Sequence, residues 1–331
     1  MSLKQVAPGG ALRVGVVGAG VMGSNHARVL AGLPGISLTG IVDPLPAHRA
    51  RAEEHVGCRT FEALDQMIAA GVDAVTVAAP THLHHDISLD LIGRGIHVMV
   101  EKPIASTVEE GRAIVDAARK AGVTLMVGHV ERFNPAVAAV KQAIKGEDIL
   151  SIAITRVGPF PPRMSNVGVV IDLAVHDIDL IRWFTESDIV DVQPQLASAV
   201  AEREDIALLQ FRTASGVLAH INTNWLTPFK ARSVTVATRG KYVMGDLLTR
   251  QVTECFGFKP DGSYSMRHLP VGHDEPLRAE LLAFTDAVRK GKTPAVTGEE
   301  GVASLEIAIR CLDTPARPAN KADKGLRQVT G

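Results

Sequence analysis

The chain has 331 residues, 46% of them hydrophobic, and a formal net charge of −1. This length exceeds the size at which a single hydrophobic core usually stops growing, so two domains are expected. The near-neutral charge and the absence of long Lys or Arg runs argue against a nucleic-acid or anionic-membrane partner.

The cysteines and the apolar segments indicate the compartment. Cys58, Cys255 and Cys311 are far apart and form no Cys-x-x-Cys pair, which fits neither a disulfide framework nor a zinc site. The first residues, MSLKQVAPGG, lack the apolar core of an export signal, and no apolar run of 18 residues occurs. These features predict a cytoplasmic protein without a membrane segment.

In the first 130 residues, apolar segments of strand length alternate with segments of helix length. The apolar segments are LRVGVV (12–17), ISLTGIV (36–42), DAVTVAA (73–79), IHVMV (96–100) and TLMVG (124–128). Continuous apolar strands separated by helices predict a parallel sheet covered on both faces.

A glycine-rich turn follows the first predicted strand. The segment Gly18-Ala-Gly20-Val21-Met22-Gly23 matches G-x-G-x-x-G, and Asp43 ends the second strand 20 residues beyond the last glycine. Gly18 permits the tight turn, Gly20 lets backbone amides approach a pyrophosphate, and Gly23 allows close packing of helix and strand. The turn therefore predicts a dinucleotide site.

The choice of dinucleotide depends on Asp43. Its carboxylate would accept hydrogen bonds from the adenosine ribose hydroxyls and repel a 2′-phosphate, which favours NAD over NADP. Arg49 and Arg51 are close enough in sequence to keep NADP as the alternative.

The tripeptide Glu101-Lys102-Pro103 follows a predicted strand at the edge where parallel sheets bind ligands. A lysine in a loop is as often a solvated charge as a functional group, so position alone leaves both readings of Lys102 open.

The segment DLAVHDIDLIRWF (172–184) has a helical apolar pattern that is interrupted by acids and a histidine. Residues four apart share a helix face, so Asp172 and His176 are expected on one polar stripe with Asp179. A neighbouring carboxylate raises the pKa of an imidazole and burial lowers it, and the balance can give a base near pH 7. Asp177 and Asp179 need no special role and are expected to be surface acids paired with Arg182. The apolar residues that would bury the helix are Val169, Val170, Ile171, Leu173, Val175, Ile178, Ile181 and Phe184.

Alternating segments of strand length dominate the C-terminal half. They are SIAITRVG (151–158), IALLQFRT (206–213), VLAHINTNW (217–225) and SVTVATRG (233–240). Such alternation predicts antiparallel strands with one exposed face. Helices are expected around 275–290 and 298–313, and the polar tail from Pro315 is expected to be loosely held.

Five motifs together resemble the Gfo/Idh/MocA family, named after glucose-fructose oxidoreductase, inositol dehydrogenase and rhizopine catabolism. The resemblance extends over nearly the whole chain. It implies an NAD-binding Rossmann domain over residues 1–130. An α/β domain over 131–331 would follow, with an open, mostly antiparallel sheet that binds substrate and forms a homodimer or homotetramer. The motifs are Gly18-x-Gly20-x-x-Gly23, Ala79-Pro80-Thr81 with His84, Glu101-Lys102-Pro103, GHVERFNP (128–135) and Asp172-x-x-x-His176.

The same resemblance, with the argument from the glycine turn, implies the site residues. Catalysis is assigned to Lys102, Asp172 and His176. The expected NAD contacts are Gly18, Gly20, Val21, Met22, Gly23, Asp43, Ala79, Pro80, Thr81, His84, Glu101, Lys102 and Arg132. The expected substrate contacts are Lys102, His129, Asn134, Arg163, Asn166, Asp172, His176 and Arg232.

The implied chemistry is oxidation of a secondary alcohol. His176 would take the hydroxyl proton, Lys102 would stabilise the developing alkoxide, and Asp172 would orient the imidazole or a substrate hydroxyl. His82, His84 and His85 cluster like metal ligands, but no Cys, Asp or Glu has matching spacing, so no metal is predicted.

Within the family, three segments most resemble the branch that oxidises the C3 hydroxyl of UDP-N-acetylglucosamine. They are GHVERFNP (128–135), VHDIDL (175–180) and NWLTP (224–228). The 3-keto product of that branch feeds a pyridoxal-phosphate aminotransferase of a lipid A precursor pathway. Cations or amides for the diphosphate would come from Arg163, Asn166, Lys230 and Arg232, each of which is otherwise a solvated surface group.

Two alternatives remain. One is a dehydrogenase of the same family that acts on a free polyol such as inositol. The other is a non-catalytic NAD-binding regulator, because a fold does not determine function. An intact set of Lys102, Asp172 and His176 argues against the regulator.

Overall fold

A six-stranded parallel sheet forms the N-terminal part of the protein in the computed structural model, which describes residues 10–161 and 167–313. The strands are β1 (Leu12–Val17), β2 (Ile36–Val42), β3 (Thr60–Phe61), β4 (Ala74–Val77), β5 (His97–Glu101) and β6 (Leu125–Gly128). Their order is β3-β2-β1-β4-β5-β6. From β1 the chain adds β2 and β3 on one side of the sheet and then β4, β5 and β6 on the other side. The crevice beyond the carboxyl ends of β1 and β4, where this change of side occurs, is the expected ligand site.

All five strands predicted in this region are confirmed. The two-residue β3 was not predicted, because it is too short to produce a pattern. Helices cover the sheet, and they are α1 (Val21–Ala31), α2 (Pro46–Val56), α3 (Leu64–Ala70), α4 (His84–Gly93) and α5 (Val108–Ala121).

An eight-stranded sheet follows α6 (Pro135–Ala143). Its strands are β7 (Ile149–Pro159), β8 (Ile189–Ala197), β9 (Ile206–Thr213), β10 (Leu218–Asn224), β11 (Leu226–Thr238), β12 (Lys241–Asp246), β13 (Gln251–Phe256) and β14 (Ser265–Leu269). The order is β14-β13-β12-β11-β7-β10-β9-β8, and only the β7–β10 pair is parallel. The predicted α/β class with an open, mostly antiparallel second sheet is confirmed.

One helix lies against this sheet and carries the acids and histidine of the 172–184 segment. It is not a single α-helix as expected. A π-helical turn over Val170–Ala174 precedes α7 (Val175–Thr185), so Asp172 lies in a wider turn than His176. Single π turns inside helices often occur at functional sites.

The last two helices, α8 (Pro276–Lys290) and α9 (Gly298–Asp313), agree with their predicted ranges. Leu281 and Phe284 of α8 pack in the core of the parallel sheet. In α9, Leu305 packs in that first core and Ala308 in the second. The division near residue 130 therefore separates the two sheets, but α8 returns to the first core instead of belonging to the second domain. None of the helices in the described part of the chain combines the length and apolar character needed to span a bilayer.

Candidate active site

The glycine-rich turn between β1 and α1 has the geometry of a dinucleotide cradle. Gly18 has a φ of +97°, and a Cβ on Gly23 would lie 1.7 Å from the carbonyl oxygen of Gly18. Both positions therefore require glycine for reasons internal to the fold. By contrast, no described atom lies within 4 Å of a Cβ on Gly20. This open space at the N-terminus of α1 fits a pyrophosphate, since the first helical amides face it.

Asp43 lies beside this turn at the end of β2. Its Oδ2 accepts a hydrogen bond of 2.8 Å from the Ala19 amide, and its Oδ1 accepts one of 2.9 Å from the Leu45 amide. The carboxylate thus braces the turn as well as lying where an adenosine ribose would bind. Arg49 donates to the carbonyl oxygens of Asp43 and Pro44, so its guanidinium is already bound to backbone. The side chains present fit NAD.

His84 lies under two loops at the same edge of the sheet. It is 1% exposed, with Nδ1 2.9 Å from the Pro103 carbonyl oxygen and Nε2 2.9 Å from that of Ala79. Burial lowers the pKa of His84. Because both ring nitrogens face backbone, neither is left for the cofactor contact that was expected of this residue.

The neighbouring histidines do not converge with His84 on a metal. His85 contacts Asp86 at 2.8 Å on the protein surface. Across residues 10–161 and 167–313, no group of three or more His, Cys, Asp or Glu side chains has the arrangement of a metal site.

Lys102 reaches from the first sheet to the π-helical turn. Its Nζ donates to the Asp172 carbonyl oxygen at 2.6 Å and approaches Asp172 Oδ1 at 3.3 Å. The Lys102–Pro103 peptide is cis. The Glu101 side chain turns inward to His26 rather than outward to the cofactor crevice. The structure therefore brings together two of the three expected catalytic side chains through a direct contact.

His176 lies close to this pair, at the start of α7. Its ring packs edge-on against His129, with 6.0 Å between ring centroids, and its Nδ1 is buried without a hydrogen-bond partner among the described residues. Asp172 does not orient this nitrogen, because its carboxylate contacts Lys102 instead. Burial, followed by the positive charges of Lys102 and Arg156, holds the pKa of His176 well below 6.5. The expected balance between a carboxylate and burial is therefore absent, because burial and neighbouring cations both lower the pKa of His176 and the ring is neutral near pH 7.

Asp177 and Asp179 are fully buried, so the expectation of surface acids is wrong. Arg156 contacts Asp177 at 2.7 Å, and Arg132 donates two hydrogen bonds of 2.7 Å to Asp179. Arg182, their expected partner, pairs with Asp188. The two buried ion pairs anchor α7 beneath His176.

Two residues that were expected at the ligands have structural tasks. Arg132 donates to Glu300 at 2.8 Å in addition to Asp179, so its guanidinium is directed into the protein and away from the cofactor turn. Asn134 caps α6 by accepting a hydrogen bond from the Ala136 amide at 3.0 Å. We therefore leave Arg132 and Asn134 out of the proposed ligand contacts.

The remaining expected substrate residues differ in access. His129 is 1% exposed, and burial lowers its pKa. Arg232 lies 3.2 Å from Glu131, and its side chain is 35% exposed. Arg163 and Asn166 lie outside the described residues.

Three residues that support the site were missed from the sequence, although a signal is present for Arg156 and His26. Arg156 follows Ile152 and Ile154 at alternate positions of β7, which places its guanidinium on the buried face. His26 lies three residues after Gly23 and four before Leu30, on the buried stripe of α1. Periodicity therefore indicates burial of these polar groups, and Glu131, which contacts Arg156 at 2.7 Å, becomes interpretable only with its partner.

Comparison with known proteins matches both halves of the chain. The model for the oxidoreductase family with an NAD-binding Rossmann fold matches residues 12–129, and the model for the GFO/IDH/MocA C-terminal domain matches 149–243. A UDP-N-acetylglucosamine 3-dehydrogenase from Acidithiobacillus ferrooxidans is 30% identical over 90% of this chain and 96% of its own length. The scyllo-inositol 2-dehydrogenase (NAD(+)) of Bacillus subtilis is 28% identical over 92% of this chain and 94% of its own.

Solved structures agree with this result. A crystal structure of the Acidithiobacillus ferrooxidans enzyme superposes with a TM-score of 0.85 at 27% identity, covering 90% of this chain and 96% of that one. Since the matches include the glycine-rich turn, the Lys102 turn and the second sheet in one continuous chain, this protein belongs to the Gfo/Idh/MocA family of NAD-binding oxidoreductases.

Proposed function

We propose that the protein uses NAD to oxidise the C3 hydroxyl of UDP-N-acetylglucosamine to the 3-keto sugar nucleotide. The contact of Lys102 Nζ with Asp172, next to a neutral His176, supports the reaction type. The similarity to the Acidithiobacillus enzyme supports the substrate.

Each side chain then has one task. NAD would be held by the glycine-rich turn, Asp43 and the Ala79–Thr81 turn, and it would supply the hydride acceptor. The C3–H hydride leaves the sugar, the hydroxyl proton passes to the imidazole of His176, and the C3–O bond becomes a carbonyl. Lys102 donates a hydrogen bond to the oxygen as negative charge develops on it, and Asp172 holds Lys102 and binds a neighbouring hydroxyl.

The diphosphate needs a cation at the rim of the site. Arg232 is a candidate because its side chain is partly exposed and lies near the buried group of Arg156 and Glu131. The 3-keto product has the chemistry that a pyridoxal-phosphate aminotransferase consumes, and we place the reaction in the cytoplasm in a homodimer or homotetramer.

A free polyol is the second candidate substrate. The relative from Bacillus subtilis is named for scyllo-inositol, and its identity to this chain is only slightly lower. A role without catalysis is less well supported, because Lys102, Asp172 and His176 are present together.

The test is NADH formation, followed at its absorbance maximum, with matched panels of UDP-sugars and inositols. Reduction with UDP-N-acetylglucosamine is expected, and borodeuteride reduction of the product should place deuterium at C3. NADH formation with inositols but not with UDP-sugars would replace the sugar nucleotide by a polyol. No NADH with any substrate would remove the proposal, provided that NAD binding is confirmed by calorimetry.

A further inference from the structure

The turn that carries Lys102 is held by two buried histidines, one on each side. On the C-terminal side, His84 Nδ1 lies 2.9 Å from the carbonyl oxygen of Pro103, the residue directly after Lys102. Its Nε2 lies 2.9 Å from the carbonyl oxygen of Ala79, in the turn after β4. A single 1% exposed ring therefore lies between the two loops that border the cofactor crevice. A neutral imidazole carries one N–H, and we assign it to Nδ1, which makes the Pro103 carbonyl oxygen the acceptor.

On the N-terminal side, Glu101 makes the corresponding connection. Its Oε2 accepts a hydrogen bond of 3.2 Å from the Lys102 amide, and its Oε1 lies 2.9 Å from His26 Nε2. His26 is fully buried in α1, the helix whose N-terminus forms the cofactor cradle. One carboxylate thus joins the cofactor-binding helix to the backbone of the lysine.

The geometry points to His84 and the Glu101–His26 pair as positioning residues that set the direction of the Lys102 side chain. Both histidines are buried, and they act on the backbone beside Lys102 in different ways. His84 contacts the Pro103 carbonyl oxygen directly, whereas His26 acts through the Glu101 carboxylate that accepts the Lys102 amide. This inference rests on the proposed catalytic role of Lys102. Electrostatic assistance depends on placement to within a fraction of an ångström, so a shift of this turn is expected to reduce turnover.

Two substitutions of His84 separate the positioning role from simple burial. The amide nitrogen of Asn lies near the place of Nδ1, so His84→Asn keeps the donor to Pro103. The amide nitrogen of Gln lies near the place of Nε2, so His84→Gln moves the donor from Pro103 to Ala79. We expect His84→Asn to stay within about 3-fold of wild-type kcat and His84→Gln to lose about 10-fold, with similar losses of melting temperature. Equal kcat values for the two variants would overturn the inference.

His97 provides the matched control. It lies at the opposite end of β5, partly buried, and its Nδ1 accepts a hydrogen bond from the Thr124 amide. His97→Asn and His97→Gln should lower the melting temperature and leave kcat unchanged. If kcat falls in proportion to the melting temperature in the His97 variants as well as in the His84 variants, the loss indicates a structural role and rejects the inference.

A second measurement does not depend on turnover. Mass spectrometry can measure the acetylation rate of Lys102, relative to that of Lys230, in the protein without substrate. This rate reports whether the ammonium group of Lys102 remains in contact with Asp172. We expect this rate to rise in His84→Gln and Glu101→Gln but not in His84→Asn. An unchanged rate in all three variants would overturn the inference.

A double-mutant cycle distinguishes failure of the positioning role from failure of the proposed function. If His84 acts through Lys102, adding His84→Gln to Lys102→Ala should cause no further loss of kcat. Additive losses would reject the positioning role. Full activity of Lys102→Ala together with the expected acetylation rates would reject the catalytic role of Lys102 and leave the positioning role intact.

Discussion

At the scale of single residues, His176 and Lys102 depend on each other through electrostatics. Burial, and after it the positive charge of Lys102, lowers the pKa of His176 and would weaken it as a base. The same charge stabilises an alkoxide on the substrate oxygen and so makes the hydroxyl a stronger acid. The proton affinity that the imidazole loses is therefore offset by the acidity that the substrate gains.

The first prediction concerns these two side chains. His176→Ala and Lys102→Ala should each reduce kcat by about 100-fold or more, the usual scale for a general base or an electrostatic donor. Folding should survive both changes. His176→Ala should shift the melting temperature little, and it should still bind NAD because the glycine-rich turn and Asp43 are unchanged. A His176→Ala enzyme that binds NAD and turns over at near wild-type rate would eliminate the base assignment.

The second prediction concerns Asp43. We expect the Kd for NAD to be far below the Kd for NADP, because the carboxylate repels a 2′-phosphate. Asp43→Ala should weaken NAD binding, since it also removes the acceptor for the Ala19 amide, and should narrow the gap between the two cofactors. Titration calorimetry measures both constants, and a wild-type preference for NADP would contradict the assignment.

At the scale of secondary-structure elements, the sequence predicted strands with a strong pattern and missed those without one. β9 alternates buried and exposed residues along its length and was predicted, whereas β14 is exposed at nearly every position and offers no period. The π-helical turn before α7 could not be predicted, because its sequence has the same apolar spacing as an α-helix. The acids of α7 were placed on the surface because their arginine partners lie on distant segments.

The third prediction uses one of these buried pairs. Asp179→Ala should lower the free energy of unfolding by about 3 kcal/mol, since it removes the main partner of the buried Arg132 guanidinium. Asp148→Ala, which breaks the exposed pair with Arg239, should cost less than about 1 kcal/mol. Urea unfolding measures both values, and equal losses would show that burial does not determine the contribution of the Asp179 pair.

The fourth prediction comes from α8. Glu280 is fully buried on the apolar stripe of this helix, and within the described part of the chain neither of its carboxyl oxygens has a hydrogen-bond partner. Burial, and then the negative charge of Glu101, raises the pKa of Glu280 well above 4.5. A raised pKa in the folded state means that stability is fully present below pH 4.5 and is lost as the pH rises through the folded pKa.

Glu280→Gln removes this titration, because the amide is neutral at every pH. The melting temperature of the variant minus that of wild type should therefore increase between pH 5 and pH 8. Glu54→Gln, at an exposed position, should show no such trend. A difference between Glu280→Gln and wild type that does not change with pH would mean that Glu280 is accommodated as an anion.

At the scale of the whole molecule, the candidate site lies where two separately predictable domains meet. The glycine-rich turn and the Lys102 turn were found from the sequence because local motifs define them. The contact between Lys102 and Asp172 joins residues 70 positions apart, and no local pattern specifies its geometry. The roles of Arg132, Asn134 and His84 likewise depend on partners from other elements, and we assign all three to supporting roles because of those partners.

The last prediction concerns assembly through the second sheet. The exposed face of β9 and β10 carries Leu208 and Leu218, which are 49% and 50% exposed, beside the polar residues Gln210 and His220. An open sheet face that exposes apolar side chains is a surface that a second copy can cover by a two-fold contact. We expect light scattering to give the mass of a dimer or tetramer, and the double variant Leu208→Lys, Leu218→Lys to shift it towards the monomer because four like charges would meet at a two-fold interface. Leu45→Lys, at an exposed leucine of the other domain, should leave the mass unchanged. A wild-type monomer at micromolar concentration, or a double variant with unaltered mass, would show that this face is not the interface.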